Sequence, residues 1–361
     1  MTTDRRLVLG VDGGNTKTIA LAATTDGTVV GAARALGGSD IYAVGVDAAI
    51  ASIDRLADEA LRAARSGPGA DPGGGSAAAP AVPAAPAAAP AAPAAAAFSL
   101  AGADWSEDIA VLRERLAARW PEPLVVNDAI GALRAAVPHG PGVVVVCGTG
   151  AATGARGADG RTWHSSFWQE PQGAYELGVR ALHAVFRAEL RIDPPTALRA
   201  AVLEALGERD VEAVLHRATR REGRDRQLAA GLAPVLLDTA EGGDPVAIAI
   251  VRAQGVSLGQ TALAAARQVG IERLPFALAL AGGVLRHAGA ALRETIVATV
   301  LADAPQASVV RPTVEPAAGA LLLAFDRAGV EVTEAVEARL RATLPPADLF
   351  DTHPASATER S

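Results

Sequence analysis

The chain has 361 residues, 50% of them hydrophobic, with a formal net charge of −7 and a single cysteine, Cys147. That length allows two domains with cores of their own. The acidic balance argues against nucleic-acid binding, and one cysteine excludes a disulfide framework, a cysteine-built zinc site and a single-chain iron–sulfur cluster.

In chain order, MTTDRRLVLGVDGG opens with an apolar run that stops at Asp12, too short for a secretory signal. No later run reads as the ~18 apolar residues of a membrane span, so a cytoplasmic location with no membrane partner is expected. Residues 7–31, LVLGVDGGNTKTIALAATTDGTVVG, read as strand, Gly-rich turn, strand, Asp-Gly turn, strand. A helix over about 44–65 places Val46, Ile50, Ile53, Ala57 and Leu61 on one face. Residues 67–97 are rich in Ala, Pro and Gly and are expected to be a disordered insertion that interrupts a domain. AFSLAGA and PLVVN read as strands, after which VVVVCGTGAATGARGADGRTW, 143–163, repeats the opening pattern. Segments 196–206, 225–239, 244–269 and 316–327 read as helices, FALALAG and ASVVRP as strands, and the tail from Pro345 as disordered. The basic run at 217–227 reads as a solvated loop or helix end, and the six histidines show no ligand spacing. Strands alternating with helices mean an α/β protein.

The two Gly-rich turns carry the chemistry. In DGGNTKT, Gly13 and Gly14 permit close approach of a phosphate to backbone N–H groups, and Thr16 and Lys17, the only lysine, add a hydroxyl and a cation. Asp12 ends the strand where a carboxylate can hold Mg²⁺ through waters. Gly148, Thr149 and Gly150 repeat the device, and neither turn is a P-loop or a GxGxxG dinucleotide motif. A tight hairpin explains either turn alone; two in matching positions favour a phosphate site. Gly282 and Gly283 follow a strand and precede a helix, where ligands sit in open α/β sheets. Asn127-Asp128 follows an apolar strand and opens a helix, which suits either an N-cap or a base for a substrate hydroxyl. The segment TWHSSFWQEPQGAYELG, 162–178, concentrates two of four Trp and one of two Tyr among polar residues.

GVDGGNTKT, FSLAGAD, VVNDAIGAL, VVVVCGTGAATGARGADG, EGGDP, LAGGV and EPAAGALLLA, in this order, resemble the BadF/BadG/BcrA/BcrD ATPase family in its N-acetylglucosamine kinase-like branch. The resemblance implies two ribonuclease H-like (actin-like ATPase) domains flanking a cleft for ATP and substrate. It places them at 1–126 and 127–330, with a helix at 331–344 packing back on the first and a disordered tail at 345–361. It assigns Asp12 to Mg²⁺, and Gly13, Gly14, Asn15, Thr16, Lys17, Gly148, Thr149 and Gly150 to the phosphates of ATP. Gly255, Gly282, Gly283, Val284 and Leu285 fall to the adenosine, and Asp128 is the base. Asp40, Asp104, Asn127, Trp163, His164, Gln169 and Glu170 would meet the sugar. The implied activity is ATP-dependent phosphorylation of N-acetylglucosamine or glucosamine, with a small-molecule sugar partner, no nucleic acid, and room for a homodimer.

The departure from the family lies at 162–172. Where the family carries GGWGxxxGDEGS, this chain has TWHSSFWQEPQG, with Gln169 in place of a carboxylate and Ala151-Ala152 where Ser-Asn is usual. These changes fall on the sugar side and leave an alternative open: an ATP-binding regulator or pseudokinase. The iron–sulfur activators of the same family are excluded, because they need clustered cysteines.

Overall fold

The computed structural model describes residues 6–66, 92–219 and 226–350. They divide into two compact units, one formed by residues up to Ala135 together with those from Val314 on, the other by Ala136–Thr313.

In the first unit β1 (Leu7–Gly13), β2 (Lys17–Thr24) and β3 (Val29–Leu36) form an antiparallel meander whose reversals use the Gly-rich and Asp-Gly turns. A short helix α1 (Ile41–Val44), α2 (Val46–Ser66), β4 (Ala95–Leu100), α3 (Ser106–Ala117), β5 (Leu124–Asn127) and α4 (Asp128–Ala136) follow. β4 runs parallel to β1 and β5 parallel to β4, so the sheet order is β3-β2-β1-β4-β5. Side chains alternate across the sheet. Leu9, Val11, Ala20 and Ala22 face one way, onto Ile53, Leu56, Leu61, Leu112 and Leu116 of α2 and α3. Val8, Ile19, Leu21 and Ala23 face the other way.

The second unit repeats this plan with β6 (Gly142–Cys147), β7 (Ala151–Arg156) and β8 (Thr162–His164), then a 3-10 turn at Ser166–Trp168. Five helices follow: α5 (Ala174–Glu189), α6 (Leu198–Leu206), α7 (Val211–Ala218), α8 (Arg226–Glu241) and α9 (Pro245–Gln268). β9 (Phe276–Ala281), α10 (Ala291–Asp303) and β10 (Ala307–Val310) complete it. Its order, β8-β7-β6-β9-β10, reproduces the first sheet strand for strand, which makes both units ribonuclease H-like. Contrary to the sequence reading, one helix among the described residues is long and apolar enough to cross a membrane: the 24-residue α9. It is instead a core helix, with Val251, Leu258, Ala262 and Ala266 buried in the second unit's core.

The chain then returns to the first unit as α11 (Pro316–Arg327), α12 (Glu334–Thr343) and a 3-10 turn at Ala347–Phe350. Leu321, Phe325, Leu340 and Phe350 cover the second face of its sheet. The approach is close: a Cβ on Gly10 of β1 would lie 2.3 Å from the Leu321 nitrogen.

Three boundaries differ from the sequence reading. The first unit runs on to Ala135 and takes back Val314 onward, because β5 pairs with β4 and α4 is tied to α11. Arg134 donates to Asp326 through Nε at 2.9 Å and Nη2 at 3.0 Å. Second, Ala95–Ala97, assigned to the insertion, are the buried start of β4; alanine suits a strand crowded by Ala317 and Leu321. Third, the tail is ordered as far as Phe350, which is buried. Residues 67–91, 220–225 and 351–361 of the segments singled out above lie outside the described residues.

Candidate active site

Parallel strands end at the same edge of a sheet, and in the first unit β1, β4 and β5 bring their C-terminal ends together. Those ends carry Asp12, the loop with Asp104, and Asn127-Asp128. Asp12 shares a sheet face with Gly10, so it points toward α11. Its carboxyl is raised to about 7, first by burial and then by the Asp128 charge, with Glu315 adding to this and Lys17 opposing it. Asp128 opens α4, half-buried, and its carboxyl is raised to about 6 by burial, then by Asp104 and Asp40, against the Ala129 N–H. Asp128 is the link among these carboxyl groups: the charges of Asp104 and Asp40 act on it, and its own charge acts on Asp12.

Asn127 is buried and works as a connector. Its Nδ2 donates to Asp104 Oδ1 at 2.8 Å, while its Oδ1 accepts from the Ala129 N–H at 3.0 Å. It thus aims Asp104 and caps α4 in one step, which spends both ends of its amide. Asp40 caps α1, accepting from the Tyr42 N–H at 2.9 Å. The Tyr42 hydroxyl donates to Asp108 Oδ2 at 2.8 Å, and the same oxygen accepts from the Trp105 N–H at 3.0 Å. Tyr42 and Asp108, which the sequence reading passed over, therefore tie the Asp40 loop to the start of α3. Asp108 sits at the third position of its helix, where a carboxylate reaching back to the N-cap is a readable signal.

In the first Gly-rich turn the Gly14 N–H is bonded to the Lys17 carbonyl at 3.0 Å, and Asn15 is exposed. Gly14 is at an ordinary φ, and the nearest atom to a Cβ there is the Lys17 carbonyl oxygen, 3.4 Å away. The Lys17 ammonium donates to the main-chain carbonyl of Phe350, a partner that no local sequence pattern announces.

The second unit brings its turn at Gly148–Gly150 beside Gly282-Gly283. Gly282 has φ +98° and presses on Cys147, and the Val284 N–H bonds the Cys147 carbonyl at 3.0 Å. A Cβ on Gly283 would meet nothing within 4 Å, and one on Gly148 only the Gly283 nitrogen at 3.9 Å. Neither packing nor positive φ demands glycine at these two neighbours, which fits a bare backbone kept for a ligand to approach. Val284 and Leu285 turn their side chains into the core. Gly255 is buried in α9 against α10, where a Cβ would lie 2.6 Å from that of Thr295. That close approach of the two helices is by itself enough to require glycine here.

The aromatic segment divides between the core and the solvent. Trp163 pairs through β8 with β7 and packs against the unit's core. His164 bonds the Ser166 hydroxyl through Nδ1 at 2.6 Å, and burial lowers its pKa. Gln169 is buried. Its Oε1 accepts from the Thr153 hydroxyl at 3.0 Å, and its Nε2 has no hydrogen-bond partner among the described residues. Glu170 is exposed. The rings presented to solvent are Phe167 and Trp168, 59% and 76% exposed, on a turn where Ser166 holds φ +38°.

The chain is 24% identical over 331 residues to the N-acetyl-D-glucosamine kinase of Dictyostelium discoideum, covering 89% of this chain and 98% of that one. It is 26% identical over 193 residues to an N-acetylmuramic acid/N-acetylglucosamine kinase of Clostridium acetobutylicum, over 52% and 63% of the two chains. A solved structure from Chromobacterium violaceum, provisionally described as an N-acetylglucosamine kinase, superposes with a TM-score of 0.63 at 27% identity, over 89% and 99% of the chains. A ROK family glucokinase from Streptomyces griseus, solved with glucose and AMPPNP, shares the fold at 18% identity and a TM-score of 0.54, over 89% and 99%. The model of one ATPase family matches residues 9–324, and the chain belongs to that family, the BadF/BadG/BcrA/BcrD ATPases.

Proposed function

We propose that the protein is an ATP-dependent amino-sugar kinase, transferring the γ-phosphate of ATP to a hydroxyl of N-acetylglucosamine or a close relative. The observation that carries this is Asp128: half-buried, at a strand end, with neighbours that raise its carboxyl to about 6. A base near neutrality is what proton abstraction from an alcohol needs as transfer proceeds. One Asp128 oxygen takes the hydroxyl proton, the sugar oxygen bonds to the γ-phosphorus, and the bond from that phosphorus to the β,γ-bridging oxygen breaks to release ADP. The kinases among the chain's relatives support the acceptor class.

Gly13, Gly14, Asn15, Thr16 and Lys17 are assigned to the phosphates, as are Gly148, Thr149 and Gly150. Gly282, Gly283 and the main chain of Val284 and Leu285 serve the adenosine. Asp12 would hold Mg²⁺, which would supply positive charge to offset that of the phosphates. One carboxylate with the remaining positions left to water and phosphate is the usual Mg²⁺ arrangement, and no group of three or more potential metal ligands occurs among the described residues. Asp40, Asp104, Asn127, Trp163, His164, Gln169 and Glu170 are assigned to the sugar. The orphaned Gln169 Nε2 offers a donor where a carboxylate would offer an acceptor.

Asp128→Asn tests the reading. Sugar phosphorylation measured by coupled ADP release should fall by at least about 10³-fold, while Mg·ATP binding measured by calorimetry stays within about threefold. A variant that keeps its rate removes Asp128 from the role.

A further inference from the structure

The only lysine of the chain sits in the first phosphate turn, yet its partner comes from the far end of the sequence. Lys17 opens β2, and alternation places it on the face that carries Ile19, Leu21 and Ala23. That is the face covered by the C-terminal segment, whose last described residue, Phe350, is buried in the same cluster. The Phe350 carbonyl accepts from Lys17 Nζ, and one strand away Arg34 Nη1 donates to the Asp348 carbonyl at 2.7 Å. Thus Ala347–Phe350 is fixed by a buried ring and by two main-chain carbonyls engaged by cations from β2 and β3.

We propose that the turn Ala347–Phe350 is a strap that positions Lys17, the cation of the first phosphate turn, through the Phe350 main-chain carbonyl. The assignment rests on the nucleotide reading of that turn. An ammonium group has three donors on a four-carbon stem with several rotatable bonds. Bonding one donor to a fixed carbonyl restricts the stem's rotation and holds the ammonium at the first phosphate turn. Part of the rotamer freedom that nucleotide binding would otherwise remove is already gone. Lys17 is then a phosphate ligand, and the C-terminal turn is a positioning element acting through it.

Having one lysine makes the test direct, because Lys17 is the sole ε-amine. Full-length chains carrying Phe350→Ala or Arg34→Ala are treated with an amine-acylating reagent, and Lys17 modification is followed by peptide mass spectrometry. Mg·ADP binding is measured in parallel by calorimetry. Both variants should acylate Lys17 at least about fivefold faster and bind Mg·ADP about fivefold to tenfold more weakly, the effect of about one lost hydrogen bond. The sugar KM should stay within about twofold in both, since a general loosening would move it as well. Arg34 is half-buried on the edge strand β3 and, unlike Phe350, is not part of the apolar core, so Arg34→Ala decides the matter where Phe350→Ala impairs folding. Unchanged acylation in Arg34→Ala and in any folded Phe350→Ala overturns the strap, as does a sugar KM that rises in step with the Mg·ADP constant. Acylation and Mg·ADP binding need no turnover, so they still report on the strap if no sugar is phosphorylated.

Discussion

Asp12 and Asp128 are carboxyl groups that the fold holds protonated to unusually high pH, about 7 and about 6. In the unfolded chain an aspartate releases its proton near pH 4. Between that pH and 6–7 the native state therefore binds more protons than the unfolded state, and stability falls as pH rises through that window. Asp128→Asn removes the Asp128 share of this cost. Its melting temperature should exceed the parent's by a few degrees at pH 8, with the gain shrinking toward pH 5, as read by thermal scans across pH. Activity runs the opposite way, because the base must be ionised: kcat should fall on an acid limb near pH 6. The limb belongs to the interacting acidic group as a whole. Asp104→Asn, which deletes a negative neighbour, should move the limb to lower pH whatever it does to the rate; a limb that does not move separates Asp104 from Asp128. Both carboxyls were legible in the sequence because each ends an apolar strand. Their supports were not, since the Tyr42–Asp108 bond joins residues 66 apart and the Lys17–Phe350 bond residues 333 apart. Local pattern carries no information about such pairs.

At the scale of elements, two glycines read alike in the sequence, both as adenosine contacts, and they divide in the structure. Gly255 lies where α9 crosses α10, and an added methyl would collide with Thr295. Gly255→Ala should cost about 1–3 kcal/mol of stability as an overpacked contact. Nucleotide affinity of the folded fraction should be unaltered. Gly283 faces open space, so Gly283→Ala should leave stability within about 0.5 kcal/mol and weaken Mg·ADP binding instead. Denaturant titration and calorimetry on the two variants check the pair, and equal effects on both measurements would erase the distinction. Strand and helix positions were readable from periodicity, as the agreement of 316–327 with α11 shows. Which face of a helix packs against what depends on the crossing of distant elements, and Gly255 shows that cost. Trp163 and Trp168 make the same point: composition marked the segment as aromatic, while only the β7–β8 pairing sends Trp163 to the core and leaves Trp168 exposed.

At the scale of the whole molecule, the repeated Gly-rich hairpin in the sequence corresponds to a repeated five-strand order, but the division of the chain is unequal. The second unit is one continuous segment, Ala136–Thr313, whereas the first needs the chain to return as α11 and α12. EPAAGALLLA is apolar enough to be a buried helix, yet nothing in it says which sheet it covers, so the part of the return made by α11 was not legible, whereas the family resemblance led to the expectation that the helix at 331–344 packs back on the first unit. The return has an energetic consequence. Val8, Ile19, Leu21 and Ala23 are covered by α11, α12 and Phe350, so a chain ending at Thr313 leaves one whole face of the first sheet bare. Exposing that many apolar side chains costs more than the stability margin of an ordinary domain. Residues 1–313 should therefore retain a folded second unit beside an unfolded first one. Hydrogen exchange followed by mass spectrometry should show β6 and β7 protected and β1 to β3 exchanging at once. Residues 136–313 alone should unfold in a single cooperative transition. Protection of β1 to β3 without the C-terminal helices would mean that the first sheet is held from its α2 and α3 face, and that α11 is an addition to its core.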